Sequence, residues 1–210
     1  LGVAPSMYSY TEPSYVAFPA SGGTNLDTLK RGKGYAIFVR PTNPLTWVAT
    51  GTPYQGTIPF TLTGGTGSAS DGWNLLGNPY PSPIQWTGVA GAAWPAFSGF
   101  SQTVYVRENL SPTTWYWRVY NPSLPTLTGS QVLLSGGIIA AGQAFWVQAA
   151  VASPALSIAE AAKYTTNGGI FYRTGPSART DGAPDVRTIN RGSGTYNDAT
   201  YVVHDDRGTA

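Results

Sequence analysis

Three prolines within five residues constrain this chain more than any other feature. In the stretch Gly72 to Trp86, GWNLLGNPYPSPIQW, Pro79, Pro81 and Pro83 each lack a backbone N–H and hold φ fixed. The segment cannot stay in a β ladder and must leave it as an extended corner. The first half, Trp73-Asn74-Leu75-Leu76, is apolar enough for a buried strand. The expectation is a strand that stops abruptly and turns a rigid bend clamped by Trp73 and Trp86. Asn78 is placed to satisfy, through its side chain, backbone groups that the prolines leave unpaired.

The rest of the chain has the composition to surround such a corner with sheet. Charged residues are only 10% of the 210, while 26 glycines and 17 prolines make the chain rich in turns. With 41% hydrophobic and 13% aromatic residues there is ample material for a core, so low charge does not signal disorder here. No cysteine is present, which removes disulfides, thiolate catalysis and Cys-based metal sites. The formal net charge is +2 and the cations are scattered. Their one cluster, Lys30-Arg31-Gly32-Lys33, reads as a solvated turn rather than a nucleic-acid patch, which needs an extended basic face. No run approaches the roughly 18 apolar residues of a membrane helix, and no basic-then-apolar leader precedes Leu1. The absent initial Met and the polar ending suggest a mature or excised piece of a longer protein.

Period-2 patterning bounded by turn residues dominates, and no segment of ten or more residues carries a helical stripe. Strands are expected at Met7 to Tyr10, Tyr15 to Phe18, Gly34 to Arg40, Leu45 to Ala49 and Gln55 to Leu62. Pro59 pushes the last of these toward a sheet edge. Further strands are expected at Thr103 to Glu108, Thr114 to Tyr120 and Val132 to Leu134, and within Ile138 to Ala149. Ser157 to Lys163 is too short for a free-standing helix and reads as a strand running into a turn. Gly142 to Gln148 matches Gly34 to Arg40 as Gly-x-Ala-apolar-aromatic-Val-polar. The match suggests two equivalent units in opposite halves, with Ile37, Val39, Phe145 and Val147 facing one core and Phe38 and Trp146 the other side.

The fold expected is all-β, a β-sandwich or jelly-roll-like domain over residues 1–163 followed by the start of a second β unit over 164–210. The boundary rests on a shift in composition: five of the twelve basic residues, all Arg, and five of the ten acidic ones, all Asp, follow Lys163. The second unit would open with strands at Ile170 to Arg173, Val186 to Ile189 and Thr200 to His204.

Reactive chemistry is hard to find. Glu12, Glu108 and Glu160 are the carboxylates a glycosidase would need in a close pair, and nothing in their spacing brings two together. His204, the only histidine, lies beside Asp205 and Asp206 but has no second imidazole or thiolate for a transition metal; a weak oxygen-ligand cation site is the remaining option there. Gly64-Gly65-Thr66-Gly67 and Arg191-Gly192-Ser193-Gly194 lack the ending of a phosphate loop. No serine has a hydrolase elbow context. No catalytic residue, metal or cofactor is therefore expected. The aromatics are the one candidate: Tyr80, Trp94, Trp115 and Trp117 are residues that form a stacking platform for sugars, or else fill a β core and its rim.

The segments GKGYAIFVR, GWNLLGNPYPSPIQW, VYVRENL, GGIIAAGQAFWVQA and LSIAEAAK occur in an order that resembles a β-rich region of large secreted and cell-surface proteins of Bacteroidota. That region commonly lies upstream of a C-terminal type IX secretion sorting domain. The resemblance spans roughly Tyr8 to Lys163 and departs at Gln85, where such proteins typically carry an acidic residue before the closing tryptophan. It implies an extracellular or cell-surface location, no catalytic residues, and O-glycosylation at Thr28 within Asp27-Thr28-Leu29. Three functions are considered, in order: a non-catalytic structural or adhesive module of a long extracellular protein, such as part of an extracellular fibre; a carbohydrate-binding module; and a hydrolase domain. Expected partners are neighbouring domains of the same chain, other copies meeting through open strand edges, and a surface glycan. Nucleic acid and a membrane span are not expected.

Overall fold

A computed structural model describes residues 5–19, 28–38, 52–86, 101–109, 115–122, 132–164 and 203–204. The strands are β1 (Met7–Thr11), β2 (Ser14–Ala17), β3 (Tyr35–Ile37), β4 (Ile58–Pro59), β5 (Trp73–Gly77), β6 (Ile84–Gln85), β7 (Val104–Asn109), β8 (Trp115–Tyr120), β9 (Val132–Leu133), β10 (Ile138–Ile139), β11 (Ala144–Gln148), β12 (Ser157–Ile158) and β13 (Val203–His204). Two 3-10 turns, Ser135–Gly137 and Glu160–Ala162, are the only helical pieces among the described residues. The protein is all-β.

Its centre is a five-stranded sheet in the order β5-β11-β7-β8-β9. β11 is antiparallel to β5, with Phe145 opposite Leu76 and Trp146 opposite Leu75, and Trp146 also lies opposite Tyr105 of β7. β7 and β8 pair over their full length, placing Arg107 opposite Trp117. Because side chains alternate along a strand, the register sorts the residues onto two faces. One face carries Leu76, Phe145, Val147, Val104 and Val106; the other carries Trp73, Leu75, Trp146, Tyr105, Arg107, Trp117 and Trp115.

The first face is closed by a second layer made of two short ladders, β4 with β12 and β6 with β10. Tyr80, Ile84, Trp86, Leu134, Ile139, Leu156 and Ile158 pack there against the sheet residues as one buried cluster. The proline corner belongs to this layer. The Asn78 Nδ2 donates to the carbonyls of Ser82 (2.8 Å) and Ala140 (3.0 Å), while Asn78 Oδ1 accepts the Tyr80 N–H at 3.0 Å. The asparagine thus supplies the hydrogen bonds that a ladder would otherwise make, as its position among prolines predicts.

The tryptophan clamp, however, does not form. Trp86 lies in the closed core, 5.6 Å from the Phe145 ring, with its indole N–H donating to the Gln102 carbonyl at 2.9 Å. Trp73 stands on the opposite face of the sheet, 5.4 Å from Tyr105. Twelve residues of chain lie between the two, and the sheet separates them because Trp73 points to one face of β5 while the chain after β5 turns over the other.

A second sheet, in the order β13-β3-β1-β2, begins where the first ends. Lys33 bridges to Leu76, the Gly34 N–H donates to the Leu75 carbonyl and the Gly77 N–H donates to the Gly32 carbonyl, so residues 32–34 extend the main sheet beyond β5. Two residues later the same chain pairs with β1. Gly34 permits the crossing: a Cβ there would sit 2.6 Å from Leu75 Cγ and 2.7 Å from the Leu76 carbonyl oxygen. This sheet brings Tyr10 and Tyr15 against Trp146, with ring centroids 4.6 and 6.2 Å away.

Several expectations change. The strand expected over Gln55 to Leu62 shrinks to the two residues of β4, one of them Pro59, whose missing N–H limits its ladder; β4 pairs only with β12 among the described residues. The Ile138 to Ala149 run splits into β10 and β11 around Gly142, whose φ of 72° requires a turn residue. Of the two matching segments, Gly142 to Gln148 contains β11 and pairs with β5, whereas Gly34 to Arg40 meets β5 only through the Gly34 N–H and its strand, β3, pairs with β1 and β13 in the second sheet. Phe145 and Val147 do face the core with Trp146 behind them, while Ile37 is buried and Phe38 packs its ring 5.5 Å from Tyr8. Val39 and the strand at Leu45 to Ala49 lie outside the described residues, as do the strands expected at Ile170 to Arg173 and Val186 to Ile189. Of Thr200 to His204, the described part is β13, which pairs parallel with β3 of the N-terminal sheet. No helix among the described residues is long and apolar enough to cross a membrane.

Candidate functional site

The second face of the five-stranded sheet is only partly covered, and its aromatic residues form a cleft of about 400 Å³ lined by Tyr10, Tyr15, Trp73, Tyr105, Arg107, Trp115, Trp117 and Trp146. Four strands of alternating pattern converge to make it. β5, β11, β7 and β8 each direct every second residue to this side, and β1 and β2 add the two tyrosines from the folded-over sheet. The rings meet edge to face in sequence: Tyr10 on Trp146 at 4.6 Å, Trp146 on Trp73 at 6.4 Å, Trp73 on Tyr105 at 5.4 Å, Tyr105 on Trp117 at 6.5 Å and Trp117 on Trp115 at 5.7 Å. Such contacts fix ring orientation at about 0.5–1.5 kcal/mol each beyond area burial. The Arg107 guanidinium, itself buried, lies 5.1 Å from the Trp115 ring centroid.

Exposure grades across this belt. Trp146 and Leu75 at its centre are buried, whereas Trp115 at one end is 43% and Tyr15 at the other 45% exposed. The belt is therefore a small second core beneath and an open aromatic surface at its ends. Trp115 and Trp117 come together as a platform requires. Tyr80 does not join them. It is fully buried in the opposite core, its hydroxyl 2.6 Å from the Gly56 carbonyl oxygen and 2.8 Å from that of Ile158, where its one proton can serve either acceptor. Burial, followed by the nearby Glu160 charge, pushes its pKa up to about 12. A tyrosine between prolines reads as a turn residue in sequence; here the corner folds inward and makes the ring part of the core. Trp94 lies outside the described residues.

The three carboxylates of a hypothetical hydrolase are each engaged separately. Glu12 Oε1 accepts the Trp73 N–H at 2.9 Å, Glu108 pairs with Arg118 at 2.7 Å, and Glu160 accepts from Lys163 at 3.0 Å and from the Gly56 N–H at 2.9 Å. The hydrogen bond from Lys163, with that from Gly56 next, holds the Glu160 carboxyl below its usual range. Among the described residues no three His, Cys, Asp or Glu side chains cluster as metal ligands. Thr28 is exposed. Gln85, at the position where the resembling proteins carry an acid, donates its side-chain amide to the Gly136 carbonyl at 3.1 Å, a contact a carboxylate cannot make.

A second concavity of about 360 Å³ abuts the cleft, sharing Tyr10 and Trp73 as walls, and is lined further by Glu12, Lys30 to Lys33, Pro59 to Thr63 and the start of β5. Lys33 is half-buried there, and burial, then the charge of Lys30, lowers its pKa. The turn read from sequence as simply solvated is thus pinned to the edge of β5.

A family model for a domain of unknown function, DUF8693, matches residues 3–188. The chain belongs to the DUF8693 family. No curated protein and no solved structure matches it. The DUF8693 match covers β1 to β12 and both concavities, leaves β13 outside, and continues past residue 163, where composition alone suggests a boundary. Sequence reading missed Tyr10, Tyr15, Trp73, Tyr105, Arg107 and Trp146 as cleft residues. The alternation was available for each, but a strand pattern does not say which face stays open.

Proposed function

We propose that this DUF8693 chain is a non-catalytic adhesive module of a secreted or cell-surface protein, and that it holds glycan in the aromatic cleft. The observation that carries the reading is the belt of edge-to-face rings ending in exposed Trp115 and Tyr15. Apolar C–H faces of sugar rings gain dispersion and desolvation against such surfaces, and rings already fixed by their neighbours lose little freedom on binding. The separate engagement of Glu12, Glu108 and Glu160 favours holding a ligand over cleaving one. The extracellular setting rests on the likeness to secreted Bacteroidota proteins.

Binding of the 210-residue chain to a glycan array tests this. Retention that is lost in Trp115→Ala and in Trp117→Ala, with no hydrolysis products, supports the reading; retention unchanged in both variants defeats it. A structural, fibre-forming role has its own support in β2, which ends the N-terminal sheet with Tyr15 and Val16 exposed. Light scattering that shows concentration-dependent oligomers, abolished by Val16→Lys, would favour that second role.

A further inference from the structure

We propose that the concavity beside the aromatic cleft seats the acidic group of a polysaccharide, so that the ligand of this module is an anionic glycan and not a neutral one. This rests on the glycan-binding reading above and narrows it to a chemical class.

The argument begins with charge. Lys30, Arg31 and Lys33 bring three cations to one wall of the 360 Å³ concavity, against one carboxylate, Glu12. That carboxylate is occupied by the Trp73 N–H. Among the described residues none of the three cations meets a carboxylate within ion-pair distance; Arg31 instead lies 4.3 Å over the Tyr54 ring. The turn that carries them is fixed in place. The Lys33 N–H donates to the Lys30 carbonyl at 3.1 Å, the Lys30 N–H donates to the Tyr35 hydroxyl at 2.9 Å, and Gly32 and Gly34 hydrogen-bond to β5 on either side of Lys33. Like charges held together and partly desolvated are unfavourable until an anion arrives, and the depressed pKa of Lys33 reflects both causes.

Position supplies the second half. The cationic concavity and the aromatic cleft meet at Tyr10 and Trp73, which line both. A ligand with an apolar ring face and an acidic substituent matches that pair of surfaces. An acidic polysaccharide has both on every charged residue. A nucleic acid matches less well: its phosphates follow one another closely and require an extended basic track, whereas here the cations are confined to four residues and Glu12 stands in the same cavity.

The test is isothermal titration of the 210-residue chain with polygalacturonate, dextran sulfate, neutral galactan, poly-glutamate and polyuridylate, repeated for Lys30→Gln and for Lys30→Gln with Lys33→Gln. The expected result is binding of polygalacturonate or dextran sulfate about tenfold or more tighter than galactan, the order of a charge-assisted hydrogen bond or two. The ranking of the two acids then distinguishes carboxylate from sulfate. The double variant should fall to the galactan level, with its thermal midpoint unchanged, and exposed Lys30→Gln alone should lose part of the gain. Equal affinity for acidic and neutral polysaccharides, or a folded double variant that binds like the parent, overturns the proposal while leaving glycan binding intact. Poly-glutamate or polyuridylate binding as tightly as the acidic polysaccharides also overturns it. If no polysaccharide binds, this inference falls together with the reading it rests on.

Discussion

The two faces of the five-stranded sheet are built by alternate residues of the same strands, yet one is sealed and the other partly open. On the sealed face aliphatic residues and Phe145 meet a layer of short ladders, and Tyr80, Ile84 and Trp86 are fully buried. On the open face the contacts are mostly ring to ring, and burial fades from Trp146 to Trp115. The difference teaches that the same residue type has opposite value on the two sides. An indole on the sealed face contributes stability through complete desolvation and close packing, whereas one at the end of the open face remains available to a ligand.

Truncation of the two kinds of tryptophan should separate most sharply. Trp86→Ala removes a fully buried ring from the sealed core and should cost about 3–5 kcal/mol in urea unfolding; a loss below about 1 kcal/mol would mean the layer is not packed as described. Next comes Asn78→Ala, which strips donors from the Ser82 and Ala140 carbonyls and the acceptor from the Tyr80 N–H. About 2–3 kcal/mol should be lost, since each buried polar group left unmatched costs about 1–3 kcal/mol.

Tyr80→Phe should cost about 1–2 kcal/mol near neutral pH, because the one hydroxyl proton that the carbonyls of Gly56 and Ile158 share is lost. Its pH dependence sharpens the comparison. The folded-state pKa of about 12 lies above the unfolded value of 10.0, so the contribution of the protonated phenol is intact below pH 10 and lost as pH rises through 12. Over that window the parent should lose about 2–3 kcal/mol more than the Phe variant, read as the difference between their urea midpoints. The smallest effect belongs to the open face. Trp115→Ala should cost about 0.5–1.5 kcal/mol, the worth of its ring contact with Trp117 at a position 43% exposed, even where it abolishes glycan retention. A large destabilisation there would make the belt a core and not a binding surface.

Part of this contrast is legible in the sequence. Phe145 and Val147 against Trp146 follow from strict alternation, and the role of Asn78 follows from the missing N–H groups around it. The brevity of β4 is less visible, because Ile58, Phe60 and Leu62 keep the period of a longer strand, yet the ladder with β12 carries on only as far as the Phe60 N–H on the Leu156 carbonyl. Tyr80 is misread as a surface aromatic because a proline-rich turn looks exposed until something shows which way it folds. Lys30 and Arg31 are exposed on a turn, as read, but the attachment of Lys33 is not legible, because its partner in β5 lies more than forty residues further along the chain.

The residues alone determined that this protein is all-β, where its ladder must break, and which side chains share a face, because proline chemistry and the two-residue period of a strand are local properties. Which of those faces is sealed, and that the cationic turn adjoins the aromatic belt, was decided only when distant segments came together. Burial is a property of what lies above a surface, and a strand's own sequence does not contain its cover.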